Sequence, residues 1–177
     1  MKYFFFLLTC IVLAFGNTAC SKKNANPTPA TSTSSDPTSA TVNGNRVDVQ
    51  LLLSLVNAQR RAGCRCGTQQ MPPVPEIRWN SQLEQAAFGH SSDMNTRGYF
   101  SHDSRDGRKF TDRITATGYQ FTTAGENIAN GYTNENAVIQ GWLNSEGHCR
   151  NIMNSSYTEM GVGRAGNYWV QVFARPR

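Results

Sequence analysis

The sequence predicts an α+β domain, because helical patterns come first along the chain and a strand pair comes last. Apolar residues recur at helical spacing over residues 48–63 and again over residues 81–98. Near the C-terminus, residues 160–163 and 168–174 alternate like two antiparallel strands joined by a short polar turn. We therefore expect helices packed on a small antiparallel sheet.

The two long helices have boundary signals. Asp48 is expected to cap the first helix, and Gly63 is expected to end it near Ala62. Ser81 and Glu84 have the spacing of a capping box at the start of the second helix. Gly98 is expected to end this helix.

The segments between and after these helices are harder to assign. Three prolines predict a loop over residues 64–75, and a short third helix is expected from Phe110 to Gly118. Gly125-Glu126-Asn127 is expected to begin a turn or a short strand. A fourth helix is predicted from a cap at Thr133 to about Gly147.

The first residues have the pattern of an export signal. A basic residue, Lys2, precedes an apolar run over residues 4–15 that is too short to span a bilayer. The run leads to Asn17-Thr18-Ala19-Cys20, and small residues before a cysteine are typical of a bacterial lipoprotein cleavage site. Residues 1–19 are therefore interpreted as a lipoprotein signal peptide, with Cys20 as the lipid attachment point at the outer membrane or cell surface. Ordinary secretion, with cleavage near Ala19, is the alternative.

The rest of the chain divides into a linker and one domain. Residues 20–46 are rich in proline, threonine, serine and asparagine, and such a segment is expected to be a disordered tether. Residues 47–177 have a globular composition and the length of a single domain. The net charge of +5 is spread along the chain without an arginine-rich run, so nucleic acid is not an expected partner. A monomer is expected.

Three cysteines fall within the predicted domain. An odd number in an exported protein indicates one disulfide and one free thiol, or no disulfide. Cys64 and Cys66 are too close in sequence to bridge each other without strain, so Cys149 is expected to pair with one of them. A zinc site of Cys64, Cys66 and His148 is a weaker alternative, because Cys-x-Cys is not the usual zinc spacing.

Two histidines and a glutamate are the candidate functional residues. His102 follows the second helix, Glu126 lies between Gly125 and Asn127, and His148 follows a glycine near the end of the fourth helix. Two imidazoles and a carboxylate could supply three ligands of a zinc ion with an open position. The residues alone favour a hydrogen-bonded structural cluster in which Glu126 orients both rings, and the third alternative is that the three residues do not converge. The third histidine, His90, is interpreted as a packing residue of the second helix.

Several short motifs occur in a fixed order along residues 51–173. They are His90-Ser91-Ser92-Asp93-Met94, Tyr99-Phe100-Ser101-His102, Gly125-Glu126-Asn127-Ile128-Ala129, Gly141-Trp142, Gly147-His148, Asn151-Ile152-Met153-Asn154, Gly161-Val162-Gly163 and Tyr168-Trp169-Val170-Gln171-Val172-Phe173. Together they resemble the CAP superfamily (cysteine-rich secretory proteins, antigen 5 and pathogenesis-related class 1 proteins), in its bacterial SCP-like branch.

The resemblance implies an α-β-α sandwich and a central cleft. Many members carry a His-Glu-Glu-His tetrad there, sometimes with zinc or another divalent ion. His102 and Glu126 match its first two positions, whereas Ser145 and Tyr168 stand at the other two in this chain. His148 matches a Gly-His of the bacterial members, and Glu146 is a candidate for the missing carboxylate.

The resemblance also bounds the function. Members have been linked to sterol or lipid binding, to proteolysis and to signalling between cells. We expect a lipid-anchored binding module whose cleft takes a small molecule, a lipid or a divalent metal held by His102 and His148. Catalysis is less favoured, because no strong nucleophile and base pair is evident. The alternatives are a zinc-dependent peptide or ester hydrolase using His102, Glu126 and His148, and a non-catalytic envelope or host-interaction protein.

Overall fold

The computed structural model describes residues 42–177, which form five α-helices and six β-strands. Residues 1–41, with the predicted signal peptide, Cys20 and most of the predicted linker, lie outside the described part. Within residues 42–177, no helix combines the length and the apolar character needed to cross a bilayer. In chain order the elements are α1 (Val49–Ala62), β1 (Cys64–Cys66), β2 (Gln69–Met71), β3 (Arg78–Trp79), α2 (Ser81–Arg97), α3 (Phe110–Ala116), β4 (Phe121–Asn130), α4 (Glu135–Leu143), α5 (Glu146–Ile152), β5 (Glu159–Ala165) and β6 (Tyr168–Pro176).

Four of the strands form one sheet in the order β3-β5-β6-β4. The terminal hairpin predicted from sequence is present, as β5 and β6 pair antiparallel through a two-residue turn at Gly166 and Asn167. β4 pairs antiparallel with β6 and forms one edge of the sheet. The sheet is not purely antiparallel, because the short β3 pairs parallel with β5. β1 and β2 form a separate small hairpin within the segment predicted to be a loop.

The sheet separates two apolar clusters, so the domain has three layers. Side chains of α2 and α3 pack with Ile128, Val170 and Val172 of the sheet on one face. Side chains of α1, α4 and α5 pack with residues such as Val162 and Trp169 on the other face. The α+β class and the α-β-α sandwich are both confirmed.

Two glycines of β5 bring α2 unusually close to the sheet. A Cβ atom on Gly161 would lie 2.1 Å from the backbone nitrogen of Glu84, and one on Gly163 would lie 2.2 Å from that of Phe88. Alternate strand residues face the same side, so both positions meet the helix. The Gly-Val-Gly motif therefore lets the backbone of α2 rest directly on β5.

The first helix matches its prediction, and the second differs at its cap. Asp48 accepts a hydrogen bond from the Leu51 amide at 2.9 Å, as an N-cap does. The cap of α2 is Asn80, whose side chain accepts from the amides of Gln82 and Leu83. The predicted capping box of Ser81 and Glu84 is wrong, because Glu84 is buried and points into the domain.

Glu84 instead anchors the segment that enters the domain. Its carboxylate accepts hydrogen bonds from the Val42 amide and the Asn45 side chain, both at 2.8 Å, and from Trp79 Nε1 at 2.9 Å. Asn45 is buried and also donates to the Val162 carbonyl. Val42 and Asn45, which lie at the end of the predicted linker, thus contact the domain.

The region around the candidate site also differs from its prediction. Gly125-Glu126-Asn127 lies inside β4 rather than at a turn. α4 is capped by Asn134 instead of Thr133 and ends at Leu143. His148 does not follow a helix but lies within the separate short helix α5.

A disulfide joins the β1 strand to α5. Cys149 is bonded to Cys66, one of the two partners that the sequence left open, and both residues are fully buried. Among the cysteines of residues 42–177, Cys64 is the free thiol, with its sulfur 3.5 Å from Cys149 Sγ and 3.8 Å from Cys66 Sγ. Burial raises the pKa of the Cys64 thiol.

The Cys66→Ser variant should form a Cys64–Cys149 disulfide when it folds in air. The reason is that the Cys64 sulfur already lies 3.5 Å from the sulfur of Cys149, so little movement is needed. Mass mapping of unreduced peptides would detect the new pair. The Cys64→Ser control should keep the Cys66–Cys149 bridge, and a free Cys149 in Cys66→Ser would contradict the expectation.

Candidate functional site

The site is built around Glu126 in the middle of β4. Its side chain is 1% exposed, and both carboxylate oxygens have partners. His102 Nδ1 lies 2.8 Å from Oε1, and an Arg113 nitrogen lies 2.7 Å from Oε2. A carboxylate paired with arginine is an acceptor only, so the Nδ1 of His102 carries the proton and donates it. Two of the three predicted residues, His102 and Glu126, are thus in direct contact.

Arg113 of α3 is a site residue that the sequence analysis missed. Its side chain is 6% exposed, and besides Glu126 it donates to three further groups. The guanidinium donates to the His102 carbonyl at 2.9 Å, to Ser104 Oγ at 3.1 Å and to the Arg108 carbonyl at 3.3 Å. Nothing in the sequence distinguishes it from a surface arginine on a short amphipathic helix. Arg113 holds both Glu126 and the backbone on which His102 sits.

His90 positions the same segment from α2. It is 1% exposed, consistent with its interpretation as a packing residue. Its Nε2 lies 2.8 Å from the carbonyl of Ser101, and since a carbonyl only accepts, Nε2 carries the proton. Burial lowers the pKa of His90, and the nearby charge of Arg113 lowers it further. A neutral His90 therefore fixes the residue that precedes His102.

Asn127 connects β4 to the helix that carries His148. Neighbouring strand residues point to opposite faces, so Asn127 faces α5 while Glu126 faces α3. The Asn127 side chain donates to the His148 carbonyl at 3.2 Å and to Gln171 Oε1 at 3.1 Å. It accepts from Asn151 Nδ2 at 2.8 Å. This buried amide network fixes α5, and with it His148, relative to the edge strand.

The two histidines of the site differ in their tendency to carry charge. The hydrogen bond to Glu126 raises the pKa of His102 above its ordinary value, although partial burial opposes this effect. Burial lowers the pKa of His148, and the positive charge of His102 lowers it further. Over the pH range between these two values, the site holds one charged and one neutral imidazole.

His102 and His148 line one cleft beside β4. The cleft has a volume of about 420 Å³ and is lined by Phe100, Ser101, His102, Asp103, Ile128 and His148. A second cavity of about 250 Å³ shares Phe100, Ile128 and His148 with it and extends along Tyr132 and Trp142. The space therefore has a polar end at the imidazoles and an apolar wall leading away from them.

Glu146, the predicted substitute carboxylate, does not join this cleft. It is the first residue of α5 and its Oε1 lies 2.5 Å from a guanidinium nitrogen of Arg150, one turn along the helix. Its other oxygen lies against Gly67 in the turn between β1 and β2. Because its carboxylate lies beside the small hairpin, Glu146 is not a lining residue of the cleft.

Comparison with known proteins identifies the family of this fold. A profile described as the cysteine-rich secretory protein (CAP) family matches residues 53–173. The chain belongs to the CAP family. The matched segment contains every residue of the cleft, and the resemblance inferred from the motifs is confirmed.

Two Bacillus subtilis proteins are similar to this chain in sequence. One, named uncharacterized membrane protein YlbC, is 42% identical over 102 residues, which is 58% of this chain and 30% of that protein. The other, named uncharacterized protein YkwD, is 31% identical over 157 residues, which is 88% of this chain and 58% of that protein. The chain thus spans only part of the length of these relatives.

Solved structures show the same CAP fold. An extracellular protein containing a SCP domain from Bacillus anthracis has a TM-score of 0.63 and 37% identity, over 71% of this chain and 39% of that chain. An outer surface protein from Borrelia burgdorferi has a TM-score of 0.61 over 72% of this chain and 92% of that chain. At 20% identity, the second likeness concerns the fold alone.

The donor set of this CAP cleft does not fit a catalytic zinc ion. Such ions take three protein ligands, but both oxygens of Glu126 are held by His102 and Arg113, which leaves two imidazoles. Within residues 42–177, His102, Glu126 and His148 do not form a group of ligand atoms all within 4.8 Å of one another. The cysteines do form such a group, but Cys66 and Cys149 are bonded to each other.

The Glu126→Gln variant should lower the pKa of His102 toward the ordinary value of 6.5, because an amide stabilises the imidazolium less than a carboxylate does. A raised pKa in the folded state also means that His102 protonation stabilises the wild-type fold below pH 6.5. This contribution is lost as pH rises through the folded-state pKa. NMR titration of the His102 ring protons, with denaturant unfolding on both sides of that pH, measures both effects.

The exposed Glu76→Gln variant provides the matched control for this titration. It makes the same chemical change away from the cleft and should leave the His102 pKa unaltered. An unchanged His102 pKa in Glu126→Gln would show that the hydrogen bond does not control its charge.

Proposed function

We propose that this protein is an exported binding module whose cleft holds a small amphipathic molecule with an anionic end. The observation that carries the proposal is the division of the cleft into a polar end with two imidazoles and an apolar wall. Pockets of a few hundred cubic ångströms with apolar walls and a few polar groups are typical of small-molecule sites. Membership of the CAP family is consistent with this role but does not name a ligand.

The apolar wall supports an aliphatic or ring-shaped body for the ligand. Phe100 is the one large hydrophobic side chain exposed among residues 42–177, with 51% of its surface accessible. It lies between the two cavities together with Ile128, and Trp142 extends the wall. The indole Nε1 of Trp142 is buried and has no hydrogen-bond partner among the described residues. An acceptor on the ligand would satisfy such a donor.

The polar end supports an anionic head group. The raised pKa of His102 favours its charged form, and Nε2 remains available because Nδ1 is committed to Glu126. The other charged lining residue, Asp103, lies 2.5 Å from Lys109 Nζ, so its charge is offset. A carboxylate or phosphate oxygen would thus meet a cationic imidazole.

Hydrogen bonding in the cleft favours binding over hydrolysis. Ser101 is the hydroxyl residue of the cleft, and its Oγ accepts from the Asp103 amide at 3.1 Å. The hydrogen bonds of residues 42–177 include none between this hydroxyl and an imidazole, which a serine nucleophile requires. The zinc hydrolase alternative lacks the third protein ligand. The non-catalytic envelope protein remains the alternative without a ligand.

The cleft should bind decanoate more tightly than decanol at pH 6. Only decanoate has a carboxylate, which can form an ion pair with the protonated imidazole of His102. Isothermal titration of both compounds measures the difference. The difference should shrink as the pH rises through the pKa of His102, because the imidazole then loses its charge. Phe100→Ala should lower the affinity for both compounds about tenfold. The reason is that burying one aromatic side chain contributes roughly 1.5–3 kcal/mol to the free energy of binding.

Phe88→Ala provides the control for the loss of an aromatic side chain. Phe88 is also a partly exposed phenylalanine, but it lines a different cavity on α2. Two results would contradict the proposal that this cleft binds a ligand with an anionic end. One is an equal loss of affinity in Phe100→Ala and Phe88→Ala, and the other is tighter binding of decanol than of decanoate at pH 6. No binding of either compound would favour the envelope protein without a ligand.

Export of the protein is supported by three observations. The first nineteen residues have the pattern of a lipoprotein signal peptide that ends at Cys20. The Cys66–Cys149 disulfide suits an oxidising compartment outside the cytoplasm. The similar protein from Bacillus anthracis is described as extracellular. We infer a surface or outer-membrane lipoprotein tethered through Cys20.

Expression of the full chain in a bacterium fed an alkyne fatty acid should label the protein. Cys20→Ser should lose the label and leave the membrane fraction, because the thiol of Cys20 is the proposed attachment point. Cys64→Ser, which removes another free thiol, should keep the label. An unlabelled wild-type chain cleaved near Ala19 would instead indicate ordinary secretion.

A further inference from the structure

A cavity of about 460 Å³ lies beside β5, which β6 separates from β4 and the cleft. Its lining comes from three parts of the chain: Gly44 and Arg46 ahead of α1, Phe88 of α2, and residues 164–167 at the β5–β6 turn. It shares no lining residue with the cleft. The lining contains two arginines but neither aspartate nor glutamate, so its fixed charges are all positive.

Arg164 of β5 is held in one orientation while its terminal nitrogens stay free. Its Nε donates to the Gly166 carbonyl at 3.0 Å, and its guanidinium carbon lies 4.6 Å from the ring centre of Trp169. Its backbone amide donates to Oδ1 of the buried Asn45 at 2.9 Å. Among the hydrogen bonds and ion pairs of residues 42–177, none involves a terminal nitrogen of Arg164. Such a fixed guanidinium presents an unused fork, which loses little entropy when it binds an anion.

Arg46 adds a second unpaired guanidinium to the same cavity. Residue 46 is exposed, and within the described part of the chain its side chain makes neither a hydrogen bond nor an ion pair. Three arginines that line other cavities each pair with a carboxylate: Arg108 with Asp106, Arg113 with Glu126 and Arg150 with Glu146. An anion in the cavity would supply the partner that Arg46 and Arg164 lack.

We propose that this cavity binds the phosphate group of a phosphate ester. Arg164 and Arg46 come from different segments, so they can hold an anion from two sides. A phosphate presents three oxygens and up to two negative charges, whereas a carboxylate presents two oxygens and one charge. The side-chain amide of Asn167 can donate to a further oxygen, and Phe88 offers an apolar face to the esterified group. The site is separate from the cleft and does not depend on the ligand proposed there.

The phosphate can belong to a soluble ester or to a membrane lipid. Val42 is the first residue that the structure describes, and Gly44 lines the cavity, so the predicted tether joins the domain beside it. A chain anchored through Cys20 would bring this side of the domain within reach of lipid head groups. Arginines near an anionic membrane surface are attracted to it. Both sources share one chemistry, and separate probes distinguish them.

The test uses the chain from residue 20 with Cys20→Ser, which has neither the apolar N-terminal run nor a lipid. Glycerol phosphate is added at constant ionic strength while NMR follows the amides of Gly166 and Asn167. These signals should shift. Arg164→Gln and Arg46→Gln should each weaken binding about tenfold, because each loses a charge-assisted contact. Glycerol, which lacks the phosphate, should leave the signals unchanged.

Arg175→Gln is the matched control for the loss of one positive charge. Arg175 is exposed, has no ion pair within residues 42–177 and does not line the cavity. Its substitution should leave the affinity for glycerol phosphate unaltered.

Sedimentation with vesicles identifies the source of the phosphate. If phosphatidylglycerol vesicles retain the protein and Arg164→Gln but not Arg175→Gln abolishes retention, the phosphate belongs to a lipid head group. Binding of glycerol phosphate without retention by vesicles assigns the site to a soluble ester. Either result, with the same dependence on the two cavity arginines, supports the proposal.

Three results would overturn the proposal. One is a protein that binds neither glycerol phosphate nor phosphatidylglycerol vesicles. Another is an equal loss of affinity in Arg175→Gln, which would indicate a response to net charge alone. The third is unchanged affinity in Arg164→Gln or Arg46→Gln, as expected if Arg164 only covers the Trp169 ring. Arg46→Gln removes no contact within the described domain, so it decides the matter even where Arg164→Gln fails to fold.

Discussion

The buried carboxylate of Glu126 is the constraint on which the candidate site depends. A carboxylate at 1% exposure needs charged or hydrogen-bonding partners, and this one obtains them from His102 and Arg113. Breaking a buried pair of this kind costs about 3–5 kcal/mol, a large share of the stability of one domain. The irregular segment between α2 and α3 is therefore ordered by the same interaction that sets the charge of His102. Stability of the domain and chemistry of the cleft share one contact network.

The edge strand β4 positions the segments on both sides of the cleft. Glu126 points toward α3 and Asn127 points toward α5, so two consecutive residues position the segments that carry His102 and His148. Gly125 precedes them because a Cβ there would lie 2.5 Å from the hydroxyl of Tyr157. The short Gly-Glu-Asn motif thus combines close packing, an ion pair and an amide network.

Local signals predicted the elements whose ends depend on nearby residues. The cap at Asp48 and the left-handed Gly98 both act within a single turn of helix, so the sequence shows them directly. β4 was harder to predict, because glycine and asparagine disfavour strands and only pairing with β6 makes that segment extended. The predicted fourth helix divides at residues 144 and 145, and the separate helix that carries His148 begins at Glu146. Glu84 fits a capping box equally well, but contacts with Asn45 and Val42 across the chain decide its place.

The sequence by itself determined the fold class and the family, because ordered motifs record them, and it marked His102 and Glu126 as candidate site residues. Only the tertiary structure decided that Arg113 pairs with Glu126, that Cys66 rather than Cys64 bonds Cys149, and that Glu146 lies outside the cleft. Each of these outcomes depends on distance between residues far apart in the chain. Cys64 and Cys66 have the same chemistry, and Arg113 resembles any helical arginine until its neighbours are known. Residue type sets what a side chain can do, and packing selects its partner.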